Sequence, residues 1–127
     1  MAYAIHYILR AVPLTCFSLA LVSDIAYLQT SNLLWLHFSE WLLLVGVVFC
    51  GLALHALPID LLIRRVRPSW WAVLFGVVVL LLAVVNNLVH TADGWTAVMP
   101  MGVTLSILTV VAMILTSIFG SKGAKHV

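Results

Sequence analysis

His6, His37, His55 and His90 all lie within long apolar stretches, together with Arg10 and Asp24. Such side chains are costly inside a bilayer and turn toward a protein interior, a cavity or a partner. A neutral imidazole can ligate iron or another metal, and a neighbouring carboxylate or amide can orient it through its second nitrogen. A helical rise of ~1.5 Å per residue puts Asp24, His37 and His90 at one level, with Asn86 one turn below His90. Three readings of that cluster follow. His90 and His37 could be the axial ligands of a haem b iron, with Asp24 and Asn86 holding the rings. His37, His90 and Asp24 could instead hold a small metal ion. Asp24 and His90 could simply hydrogen-bond to each other and lock two helix ends.

Deeper in the chain, His55 has Gly51 one turn away, leaving room for a flat macrocycle, and Met113 falls at a similar depth. Methionine can serve as a sixth haem ligand, so both are candidate ligands, with His55 the reserve to His37 as partner of His90; a hydrogen bond from His55 to Thr109 or to a free carbonyl is the plain alternative. Pro58 supplies such a carbonyl, because it leaves Leu54 without its helical donor. Arg10, one turn past His6, could pair with Asp60, a haem propionate or a lipid phosphate. Asp60 also has Arg64 at the favourable four-residue spacing. His126 is expected in solvent.

Four apolar segments carry these residues: about 5–28, 34–63, 69–91 and 98–119. Each reaches the ~20 residues that a membrane-spanning helix needs. The links between them are short, which forces antiparallel neighbours. The expected fold is therefore all-α, a single domain over residues 1–127 forming an up-down transmembrane four-helix bundle. Arg64, Arg65 and Arg67 form the densest run of charge, and clustered arginines beside a span are retained on the cytoplasmic side. With Lys122 and Lys125 on the same side, both termini are expected in the cytoplasm, and Gln29, Asn32, Glu40, Asp93 and Trp95 on the periplasmic side. Pro68 ends the second helix, and Trp70 and Trp71 suit the interface where the third begins.

Residues eighteen apart share a helical face, so polar and small residues mark inward stripes. The first helix offers His6, Arg10, Pro13, Phe17, Ala20 and Asp24. The third offers Ala72, Gly76, Val79, Ala83, Asn86 and His90, with Asn87 beside them. The fourth offers Gly102, Ser106, Thr109, Met113, Thr116 and Gly120. For the second, the polar pattern selects His37, Leu44, Val48, Gly51, His55 and Pro58.

Of the 127 residues 65% are hydrophobic and 8% charged, which makes the bilayer the expected solvent. The net charge of +2 reflects basic residues at span ends, not a nucleic-acid surface. Cys16 and Cys50 have no C-x-x-C spacing and read as small hydrophobes inside spans. The first apolar run lacks a small-residue cleavage site and reads as an anchor. No nucleophile elbow, P-loop, dinucleotide fingerprint or H-E-x-x-H motif occurs, so an enzyme of a known motif class is not expected.

The stretch WLLLVGVVFCGLAL, followed by Ile59-Asp60 and Arg64-Arg65, and then NNLVHTADGWTAVMPMGVTLS, resembles the small four-helix membrane family DUF2231 over roughly residues 5–119. Its motifs here are Asp24, Gly46, Asp60, the asparagine pair with His90, and Gly102 with Leu105-Ser106. The chain departs from the family pattern in lacking a histidine early in the third helix, in following His6 with Tyr7 rather than proline, and in placing His55 where a small apolar residue is usual. The resemblance implies a multi-pass protein of the bacterial inner membrane. It also implies the company of Rieske iron–sulfur domains and sugar dehydrogenases, and hence electron transfer. The leading expectation is thus a haem b protein passing electrons between quinol and a periplasmic redox partner, on His90, His37, His55, Met113 and Arg10. The alternatives are a non-redox structural or accessory membrane protein with a buried His/Asp/Asn cluster, and a small metal- or ion-handling protein. The lipid bilayer is the expected partner, with a homo-oligomer left open.

Overall fold

The structure is a computed structural model that describes residues 2–63, 68–92 and 98–123, with the side chains of residues 2, 3, 60, 98, 99 and 121–123 outside that description. Four long helices account for most of it: α1 (Ala2–Thr30), α2 (Leu33–Ile63), α3 (Trp70–Thr91) and α4 (Val103–Gly123). One turn of π-helix, Val98–Gly102, leads into α4. No strand occurs among the described residues. All four helices are long and apolar enough to cross a membrane.

The first link is short. Ser31 takes a left-handed backbone with φ 51°, and its N–H donates to the Tyr27 carbonyl at 2.8 Å, which ends α1. Asn32 then caps α2 through its side chain, accepting the Leu34 N–H at 3.0 Å. This two-residue reversal lays α2 back along α1 and brings Ser39 level with Asp24, fifteen positions away. The helices form a ring in which α1 packs on α2, α2 on α3, α3 on α4 and α4 on α1.

The ring closes on a thin core of Phe17, Ala20, Leu43, Cys50, Val79, Ala83, Ala112 and Met113. Close approach of α1 and α2 depends on Gly46. A β-carbon there would run into the Phe17 ring, 2.8 Å from Cδ1 and 2.9 Å from Cζ. Valines, leucines and isoleucines such as Val22, Val48, Leu52, Leu81 and Ile114 cover the outside. In lipid they cost nothing there, so small residues and polar partners must hold the helices together instead.

Most of each stripe on α1, α3 and α4 turns inward as its spacing predicts, but Arg10 of α1 is exposed, and His6, Ala72, Thr116 and Gly120 are half-buried. Pro13, Phe17, Ala20 and Asp24 are buried, as are Gly76, Val79, Ala83, Asn86 and His90, and Gly102, Ser106, Thr109 and Met113. Helix α2 is rotated from the expected orientation. Its buried residues are Leu36, Ser39, Leu43, Gly46 and Cys50, whereas His37, Leu44, Val48, His55 and Pro58 are exposed. The correction has a steric cause: the face that fits against Phe17 is the one bearing Gly46, and Ser39 lies on that same face.

Candidate functional site

At the end of the bundle where α1 finishes and α2 begins, one carboxylate gathers a group from each of the other helices. Asp24 is fully buried on α1. Its Oδ1 accepts the Ser39 hydroxyl of α2 at 2.7 Å and faces His90 Nε2 of α3 at 2.8 Å. Its Oδ2 accepts the Ser106 hydroxyl of α4. Ser106 in turn accepts the side-chain N–H of Asn86 at 2.9 Å. The loop closes through His90, whose Nδ1 donates to the Asn86 carbonyl at 2.9 Å. Every step of this cycle is buried.

The acceptors around His90 decide its chemistry. A carbonyl oxygen can only accept, so Nδ1 carries a proton. Asp24 accepts the hydroxyls of Ser39 and Ser106, and one further proton is shared between its Oδ1 and His90 Nε2. Whichever of the two atoms holds that proton, the pair carries no net charge, which is how a buried carboxyl group is kept in an apolar interior. Asn86 completes it as a positioner: its amide N–H is used by Ser106 and its backbone carbonyl by His90. Its side-chain Oδ1, like that of Asn87, is buried without a partner among the described residues.

The direct Asp24–His90 bond is the third of the readings open to the sequence. The structure does not bring His37 into the cluster. The His37 side chain is 64% exposed and its Nδ1 lies 3.2 Å from Glu40 on the same helix. His55 is also on the outside of α2, where its Nδ1 donates to the Gly51 carbonyl at 3.0 Å. Thr109 donates to Leu105 within α4, not to His55. Nor do His55 and Met113 come together: Met113 is buried in the core and His55 is not. The residues as placed do not fit a haem held by His90 and His37, because both nitrogens of His90 are engaged, one by the Asn86 carbonyl and one by Asp24, and His37 lies outside the cluster. No group of three or more His, Cys, Asp or Glu side chains able to hold a metal ion occurs among the described residues.

Ser39 is the member that the sequence reading missed. Its signal was available in the i, i+4, i+7 run Ser39, Leu43, Gly46, but histidines on the opposite face outweighed a single hydroxyl.

Arg10 and Met113 both line a cavity elsewhere, toward the other end of the bundle. The cavity, of about 420 Å³, lies among all four helices, lined by His6, Arg10, Pro13, Leu54, Gly76, Met113 and neighbouring residues. Pro13 and Pro58 each remove one intrahelical bond at this level, freeing the carbonyls of Leu9 and Leu54, whose residues also line the cavity. The expected partner of Arg10, the Asp60 side chain, lies outside the described residues, as do Arg64, Arg65, Arg67, Asp93, Trp95, Lys125, His126 and the Lys122 side chain.

No curated protein and no solved structure matches the chain. A family model does, that of "Predicted membrane protein (DUF2231)", and it spans residues 2–127. With four apolar helices of spanning length and a match over nearly its full length, the chain belongs to the DUF2231 family of membrane proteins.

Proposed function

We propose that this is a non-redox accessory membrane protein, a four-span module held in one register by a buried hydrogen-bonded node rather than by a cofactor. The observation that carries this reading is that the Asp24 carboxylate takes a hydrogen bond from α2, α3 and α4 at once. Sliding or rotating any one helix would strand a charge or a hydroxyl away from water, which is far costlier than repacking apolar side chains. The node thus selects a single arrangement of helices that lipid would otherwise leave free to slip. Arg64, Arg65 and Arg67 with Lys122 and Lys125 support an orientation with both termini in the cytoplasm and the node toward the outer face of a bacterial inner membrane.

The competing reading is haem b passing electrons between quinol and a periplasmic partner, as the family's company implies. It would require His90 to leave Asp24, and so to unpair a buried carboxylate. An absorption spectrum of the purified protein in detergent, before and after addition of haemin, separates the two. The proposal expects no Soret shift and no sharp α/β bands on reduction. Bands that appear in the native protein and vanish in His90→Ala would establish the haem reading instead.

A further inference from the structure

The cavity at the termini end is remote from the node and takes no part in it. Asp24 and Arg10 are fourteen residues apart on α1, about 21 Å along a helix axis. Its volume, about 420 Å³, lies within the ~300–1,000 Å³ of small-molecule pockets. Two chemistries meet in it. Leu54, Leu57, Val73 and Val79 form an apolar interior, while Arg10 and His6 line it on α1 and Ser69 at the start of α3. None of the described residues that line it is acidic. Arg10 lies about 12 Å along α1 from Ala2, so its guanidinium sits inside the span, and its aliphatic stem lets it reach toward the interface.

From this we infer that the cavity binds one anionic phospholipid, with the phosphate on Arg10 and an acyl chain in the apolar interior. A guanidinium presents a planar fork of donors that matches a phosphate group, and an acyl chain loses nothing on leaving one hydrocarbon environment for another. The cavity lies between spans rather than in a water-soluble domain, so a bilayer lipid reaches it laterally. A zwitterionic lipid offers the same chain and phosphate, but its own cation competes with Arg10. The selectivity should therefore reside in Arg10 and the capacity in the cavity.

The experiment uses the full chain in a mild detergent, stripped of lipid, with native mass spectrometry counting bound dioleoylphosphatidylglycerol or dioleoylphosphatidylcholine. The expected result is one retained lipid with a preference of roughly tenfold for the glycerol headgroup. Arg10→Ala should bring the two lipids to parity, and Arg10→Lys should keep much of the preference. Ala53→Phe, which projects a ring into the cavity, should lose both lipids. Equal retention of the two lipids by the unaltered chain would overturn the inference, as would an Ala53→Phe variant that binds like it. Inorganic phosphate alone matching phosphatidylglycerol in raising the melting temperature would also overturn it, by making this a site for a soluble anion. Arg10 is an exposed side chain, so its variants fold whether or not Ala53→Phe does.

Discussion

His90 and Asp24 stand 66 positions apart in the chain and 2.8 Å apart in the fold, joined through Nε2 and Oδ1 with neither side chain exposed. That bond ties the end of α3 to the end of α1, two helices that are not neighbours in sequence. Breaking it from either side leaves the other group buried without its partner, and removing one member of such a pair costs about 3–5 kcal/mol. Asp24→Asn and His90→Gln should therefore each lower the stability of the purified protein by an amount of that order. The double variant should fall well short of the sum, since removing both members leaves neither without its partner. Detergent unfolding curves of the three variants provide the check, and strictly additive losses would show that the two side chains are not coupled.

The two serines on the carboxylate should not be equivalent. Each gives one buried hydrogen bond to the Asp24 carboxyl, and losing it costs about 1–3 kcal/mol. Ser39 also lies 3.1 Å from the Ala20 carbonyl, a weaker second contact. Ser106 additionally accepts from Asn86, so Ser106→Ala orphans an amide donor as well as depriving Asp24. Ser106→Ala should thus be the more destabilising, while Thr15→Ala, whose hydroxyl only bonds back along α1 at an exposed position, should be close to neutral. The same unfolding curves read all three, and an inverted order of the serines would count against the cycle through Asn86.

Gly46 should tolerate no side chain. Even a methyl group would collide with the Phe17 ring, which is 1% exposed and packed on all sides by the core. Overpacking of this kind costs about 1–3 kcal/mol. Gly46→Ala should show that loss, and Phe17→Leu in the same chain should recover part of it by vacating the space. Failure of the second change to help would mean that α1 and α2 separate rather than strain.

The proposed orientation has its own readout. A reporter fused after Lys125 should be active on the cytoplasmic side, and one inserted near Gly94 on the opposite side. Reversing the charges of Arg64, Arg65 and Arg67 should weaken that preference, because positive charge beside a span sets its direction. The opposite labelling pattern would place the node toward the cytoplasm and leave the bundle itself unchanged.

The amino-acid sequence by itself determined the number and extent of the helices, since only long apolar runs separated by short polar links satisfy a bilayer. It also determined which faces of α1, α3 and α4 point inward. On those helices polar and small residues recur together, from Pro13 to Asp24, Gly76 to His90 and Gly102 to Thr109. Helix α2 was illegible in this way, because it carries polar groups on two faces: His37 and His55 on one, Ser39 on the other. In a membrane, apolar side chains are at home on either face, so hydrophobic periodicity does not say which one is buried. Only packing decided it, through the fit of Gly46 against Phe17 and of Ser39 against Asp24. The partners of His90 were tertiary in the same sense. Residue types and depth placed Asp24 within its reach, but whether the ring is left open to a metal depends on two partners, one supplied by α1 and the other by its own helix one turn back.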